Sequence, residues 1–193
     1  MKKIKLILAS IILMITASSC DDKEILLPNA ASIKIGDIYL GGTVFYVDGA
    51  GGGLIAYPTD LADKAWSSNS ITVVSTSTAL GTGKANTSSI YNSDNYSGYA
   101  ADACMNISSD WYLPSKMELR KLLDNRTTAH LTGILTGTND YYWTSSEYKY
   151  NPDQNGVTVP LGSAAYTDKV TSSTYGYYSD KSILHHVRAI RSF

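Results

Sequence analysis

The sequence predicts a folded domain of mixed strands and helices behind an export signal, and three observations carry that prediction. The first is Asp110 to Asp124, DWYLPSKMELRKLLD, which reads as strand, tight turn and amphipathic helix. The second is a pair of β-branched and aromatic runs, 43–47 and 54–57, separated by the glycine-rich turn 48–53. The third is the stretch 147–182, rich in Tyr, Ser, Asn, Gly and Asp and poor in periodic apolar pattern, which is the composition of long loops.

In the first stretch, Trp111, Tyr112 and Leu113 suit a short buried strand, and Pro114 removes a backbone donor and biases Leu113 away from helix. Ser115 followed by Glu118 is a capping box, in which hydroxyl and carboxylate each satisfy the other residue's backbone amide. Leu119, Leu122 and Leu123 then form one apolar stripe, with Lys116, Arg120 and Lys121 off it and facing water. Trp111 is expected beneath this helix.

At the N-terminus, Lys2, Lys3 and Lys5 precede an apolar run from Leu6 to Ile15 and then small residues, the pattern of a cleaved signal. That run is too short for the roughly 20 residues a membrane-crossing helix needs. Cys20 after Ala17-Ser18-Ser19 resembles a bacterial lipobox, so residues 1–19 are read as a lipoprotein signal, 20–32 as a lipidated tether and 33–193 as the domain. The acidic residues Asp21, Asp22 and Glu24 beside Cys20 resemble the surface-export signal of Bacteroidetes lipoproteins, whereas an aspartate directly after the cysteine resembles inner-membrane retention in enterobacteria.

Removing residues 1–19 takes three lysines and leaves 13 basic against 17 acidic side chains, a formal charge of −4, which argues against a nucleic-acid partner. With Cys20 lipidated, Cys104 is the one remaining thiol, so neither an internal disulfide nor a cysteine metal cluster can form.

Further along, Asn86 is expected to cap a short helix to about Asn92, and Tyr99, Ala100, Ala103, Cys104 and Ile107 recur at helical spacing. Strands are expected at 141–145, 164–167, 175–178 and 186–190, the last with Val187 and Ala189 facing away from His186, Arg188 and Ile190.

Several motifs invite chemistry and do not complete it. Gly81-Thr-Gly-Lys-Ala85 falls short of a phosphate loop, because Thr78 stands where the first glycine belongs and Ala85 where the magnesium-binding hydroxyl belongs. Cys104 lies mid-stripe on an apolar helix face with no base in helical reach, so it reads as an inert core residue. His185 and His186 point to opposite faces of a strand and His130 is alone, which argues against a histidine metal site. Asn151-Pro152-Asp153 resembles the calcium- and sugar-binding triplets of C-type lectins but departs at its first residue and lacks a partner Trp-Asn-Asp, so it reads as a turn. Glu147 and Arg188 are expected to pair structurally, with each other or with backbone.

The fifteen tyrosines carry more information. Tyr, Ser, Gly and Asn together compose adaptable recognition loops, because a tyrosine offers large contact area and a hydrogen-bonding tip for two torsions frozen. On composition alone, Tyr148, Tyr150, Asn151, Asp153, Tyr175, Tyr177 and Tyr178 are the candidate ligand contacts.

In chain order, Gly41-Gly-Thr-Val-Phe-Tyr-Val-Asp48, Gly81-Thr-Gly-Lys-Ala-Asn-Thr87, Asp110-Trp-Tyr-Leu-Pro-Ser-Lys-Met-Glu-Leu119, Tyr142-Trp-Thr-Ser-Ser-Glu147 and Val187-Arg-Ala-Ile-Arg191 resemble the Lcl C-terminal domain-like family, similar in style to the Fibrobacter major paralogous domain. The resemblance runs from about Gly36 to the C-terminus. It implies an α+β, C-type-lectin-like fold with two helices packed on a small antiparallel sheet and long loops on one side. It implies a framework of Trp111, Pro114, Ser115, Glu118, Trp143, Glu147 and Arg188. It also implies a non-catalytic, lipid-anchored, cell-surface binding or adhesion domain of the outer membrane, recognising a glycan, polyanion or protein. The alternatives are a structural component of the envelope or of a fimbria-like assembly, and an enzyme on the formylglycine-generating fold. That enzyme class uses a cysteine pair that this chain lacks. No cofactor or metal is expected; calcium is left open without a motif to support it.

Overall fold

The structure, a computed structural model, describes residues 33–67, 76–93, 98–150, 153, 155–171 and 176–193. Cys20, Asn151 and Tyr175 lie outside them. In chain order the elements are β1 (Ile38–Tyr39), β2 (Gly42–Val47), β3 (Gly53–Ala56), β4 (Leu61–Lys64), α1 (Gly83–Ser93), α2 (Ala100–Met105), α3 (Lys116–Asn125), β5 (Tyr142–Glu147), β6 (Ala164–Asp168), β7 (Tyr177–Asp180), β8 (His185–Val187) and β9 (Ile190–Ser192). The class is mixed α+β.

The glycine turn makes the expected hairpin, because Asp48 Oδ1 accepts from the amides of Ala50 and Gly52 at 2.7 and 2.9 Å and closes the link between β2 and β3. β1 and β9 flank them in an antiparallel sheet ordered β1-β2-β3-β9. A second sheet is ordered β4-β8-β5-β6-β7, with β5 and β8 parallel and the other pairings antiparallel.

Strand alternation explains why both faces of the central strands are apolar. Val44, Ile55, Trp111, Leu113, Trp143 and Ala189 point into one core with Ile90 of α1 and Ala100, Ala101 and Cys104 of α2. Their neighbours Phe45, Leu54, Tyr112, Tyr142 and Ile190 point into another with Leu119, Leu122 and Leu123 of α3. The strands are thus covered by α1 and α2 on one side and by α3 on the other.

Locally, α3 starts as its sequence dictates. Ser115 Oγ accepts from the Glu118 amide at 3.3 Å, and Glu118 Oε2 accepts from the Ser115 amide at 2.7 Å.

Several expectations are corrected. There are three helices among the described residues rather than two, and two sheets rather than one small one. Trp111 is buried but not beneath α3: alternation sends it to the opposite core, where its ring meets Tyr57 edge-on at 5.1 Å, and Tyr112 lies under α3 instead. Arg120 is buried rather than facing water, paired with Asp168 at 3.2 Å. Asn86 does not cap α1 but sits inside it, its amide donating to Ser77 O at 2.7 Å and Ser145 Oγ at 3.2 Å. The single strand expected at 186–190 is two, β8 and β9, broken at Arg188 and Ala189 where the chain passes from one sheet to the other.

Candidate functional site

One face of the second sheet carries an unusual set of side chains. Tyr142 pairs with Asp168, Trp143 with Thr167, and Thr167 with Tyr177, so period-two alternation puts Tyr141, Trp143, Thr167, Lys169, Tyr177 and Ser179 on one side. His185 joins them from β8, its ring 4.7 Å from Trp143 and 5.7 Å from Tyr141. Together Tyr141, Thr167, Tyr177, Tyr178, Ser179 and His185 line a cavity of about 230 Å³.

Thr167 is 1% exposed, whereas Tyr177, Ser179 and His185 are only partly buried. The Tyr141 and Tyr177 rings meet edge to face, centroids 5.4 Å apart at 79°. Lys169 braces both rings from 4.7 and 5.0 Å, and its ammonium donates to Thr138 O at 2.7 Å and to Tyr141 Oη at 3.1 Å. Burial, reinforced by neighbouring His186, pushes His185 down to about 4. Its imidazole is therefore neutral near pH 7, with Nε2 sharing one hydrogen bond with Ser179 Oγ at 2.8 Å. Aromatic faces, hydroxyls and a neutral imidazole can stack against and hydrogen-bond a polar, uncharged ligand.

The candidate contacts divide across the sheet. Tyr177 is on the pocket face. Tyr178 borders the cavity as well, but its ring is stacked on Tyr148 on the other face of the strand, with centroids 4.2 Å apart at 25°, and its hydroxyl donates to Asp153 Oδ2 at 2.7 Å. That bond and the amides of Val157 and Asn155 hold the Asp153 carboxyl below its usual range. Tyr148 and Asp153 are buried and join β7 through the Tyr178 ring and hydroxyl, while Tyr150 is 63% exposed. Composition singled out tyrosines without regard to face. It missed Tyr141, Thr167, Ser179 and His185, although the i, i+2 spacing of Tyr177 and Ser179 was a usable signal.

The framework residues Trp111, Pro114, Ser115, Glu118, Trp143, Glu147 and Arg188 are all buried. Glu147 and Arg188 do not pair with each other. Glu147 Oε1 is 2.5 Å from Lys181 Nζ. The Arg188 guanidinium binds Asp60 and donates to the carbonyls of Tyr57 and Thr132, each at 3.0 Å. Asp60, between β3 and β4, also accepts from the Tyr142 hydroxyl at 2.7 Å, which ties the sheet crossing at Arg188 to the start of β5.

The glycine turn at 81–83 cradles a carboxylate of the chain itself. Glu118 Oε1 accepts from the Gly81 amide at 3.0 Å, and a Cβ at Gly83 would lie 2.2 Å from Glu118 Oε2. Burial raises the Glu118 carboxyl above its usual value, opposed by the amides of Ser115, Gly81 and Gly83. Cys104 is fully buried in the α1 and α2 core, and desolvation holds its thiol well above the usual range. Among the described residues no group of three or more His, Cys, Asp or Glu side chains could hold a metal ion, and no helix is long and apolar enough to cross a membrane.

Comparison with protein-family models and with curated proteins finds no match for this chain.

Proposed function

We propose that the chain is a lipid-anchored, extracytoplasmic, C-type-lectin-like recognition domain without catalysis, which binds a glycan through the tyrosine-walled pocket of the second sheet. The observation that carries this reading is the pocket face itself: two tyrosine rings set edge to face above hydroxyls and a neutral imidazole. Sugars present C–H faces to aromatic rings and hydroxyls to such donors and acceptors. A polyanion draws less support, because among the described residues no charged side chain lines the cavity. The export signal, Cys20 and the Trp111 to Leu119 and Trp143 to Glu147 segments support the surface-lipoprotein setting.

The test is a glycan array probed with the full chain in detergent, beside Tyr177→Ala. Retention of a defined glycan class that the variant loses is the expected result; binding that ignores Tyr177, or none at all, refutes the proposal.

A second reading, a structural component of the envelope, is favoured by exposed Val157, Leu161, Ile183 and Leu184, on segments joined by the Lys181 amide donating to Ser163 O at 3.0 Å. Under that reading an envelope extract yields one stoichiometric protein partner and the array stays blank.

A further inference from the structure

The hairpin of β1 and β2 has a tip built against local preference. Tyr39 pairs with Gly42, so the link is Leu40 and Gly41, with φ of 46° and 84°. Two positive φ values in a two-residue link mark a type I′ turn, where Asn, Asp or Gly normally takes the first place. Leu40 is held in a conformation that its own Cβ opposes, while its side chain stays 39% exposed. Ile38, in β1, is 76% exposed, the most open large apolar side chain among the described residues. Between them Tyr39 packs edge-on against Phe193 with centroids 5.2 Å apart, which fixes the strand while its neighbours face outward. A Cβ built on Gly41 meets nothing within 4 Å, so no other described part of the chain covers the tip there. Single exposed aliphatic residues are ordinary, but one kept in a strained turn position points to a use.

Position in the chain says what covers this tip. Ile38 lies eighteen residues after Cys20 and is the first exposed large apolar side chain of the described residues. Residues 20–32, thirteen in number, reach at most about 45 Å. A lipidated Cys20 therefore keeps the hairpin close to the bilayer that holds it. In their separate sheets, β1 is three strands from β9 and β7 is three strands from β8, so the hairpin and the pocket strands are each remote from the crossing that joins the sheets. Charges beside the tip balance: Lys34 and Asp37 are both exposed, and Arg191, which donates to the Leu40 carbonyl at 3.5 Å, is paired with Asp110 at 3.1 Å. The contact on offer is apolar.

We infer that the hairpin of β1 and β2 is a membrane-contacting tip, whose Ile38 and Leu40 side chains enter the headgroup and acyl boundary of the bilayer that holds the Cys20 lipid. The inference rests on the lipid-anchored reading above and adds to it the surface that meets the membrane. Two side chains hold a bilayer weakly by themselves, but a tether makes theirs the second, intramolecular contact and so raises its effective concentration.

The test uses the full lipidated chain in vesicles of phosphatidylethanolamine and phosphatidylglycerol containing doxyl-labelled lipid. One cysteine is introduced to carry an environment-sensitive fluorophore: Ile38→Cys, Leu40→Cys or, on a different exposed apolar surface, Leu184→Cys. Cys104 is fully buried and a lipidated Cys20 has no free thiol, so only the introduced site takes label. Probes at 38 and 40 should shift to the blue and lose emission to the doxyl lipid, the probe at 184 should do neither, and raised salt should change nothing. Leu40→Asn, which suits a positive φ, should melt at the same temperature or higher and lessen the quenching at 38. Unquenched probes at 38 and 40, equal quenching at 184, a contact abolished by salt, or a lower melting temperature for Leu40→Asn overturns the hairpin assignment and leaves the anchor standing. A parent chain that takes label at Cys20 and fails to float with the vesicles overturns the anchor, and the hairpin contact with it.

Discussion

Replacing Lys181 with methionine should cost this domain a large share of its stability, and the reason is visible in three contacts. The lysine follows β7 with its side chain 0% exposed, and its Nζ is 2.5 Å from the carboxylate of Glu147, itself 2% exposed at the end of β5. The same ammonium lies 4.5 Å over the Trp66 ring, and the Lys181 carbonyl accepts from the Trp66 amide at 2.8 Å. One residue therefore ties β5, β7 and the segment after β4 together. Methionine fills most of the volume but takes the charged partner at 2.5 Å away from a buried carboxylate, and breaking a buried pair from one side costs about 3–5 kcal/mol. Against a total of about 5–15 kcal/mol for an ordinary domain that is a major loss. At about 2–4 °C per kcal/mol for a domain of this size, the melting midpoint should fall by about 6–20 °C. Urea unfolding followed by tryptophan fluorescence measures it, with the slope against denaturant unchanged. The paired variant Lys181→Met with Glu147→Leu removes both charges and should be less damaged than Lys181→Met alone. A single-variant loss below about 1 kcal/mol, or a double variant showing the plain sum of two losses, would refute the argument.

Two further outcomes follow from the site and its supports. His185 is held neutral down to about 4, so between that pH and its ordinary value of about 6.5 the unfolded chain binds a proton that the folded chain does not. Stability should fall as pH drops through that window, by about 1–2 kcal/mol once partial exposure is allowed for, and His185→Gln should flatten the slope of a pH series of melts; an unchanged slope sinks the assignment. Gly83→Ala sets two effects against each other. Alanine in a helix gains about 1 kcal/mol over glycine, but its Cβ would lie 2.2 Å from Glu118 Oε2 and 2.9 Å from the Ser115 amide. The clash should win by about 1–3 kcal/mol, and a variant as stable as the parent would show that the Glu118 cradle can give way.

Interactions within a few residues were readable in advance, because their geometry is set by the helix and turn alone. The Ser115 and Glu118 box, the leucine stripe of α3 and the Asp48 turn all belong here. The same local logic misplaced Trp111, because a strand sends its neighbours to opposite faces and only the finished fold says which core each face meets. It also treated Arg120 as solvent-facing, since its partner Asp168 is 48 residues away. The phosphate-loop likeness failed for a related reason: the anion its amides attract is Glu118, more than thirty residues on.

The sequence by itself determined the capped helix, the hairpin and a chain rich in tyrosine, each a matter of neighbours along the backbone. Only the tertiary structure decided which tyrosines line a cavity and which fasten a loop. That choice depends on the strand order β8-β5-β6-β7, which gathers Tyr141, Thr167, Tyr177 and His185 on one face and sends Tyr178 to the other. Strand order is set by burying both faces of the sheet at once, a free energy summed over the whole chain that no window of residues contains.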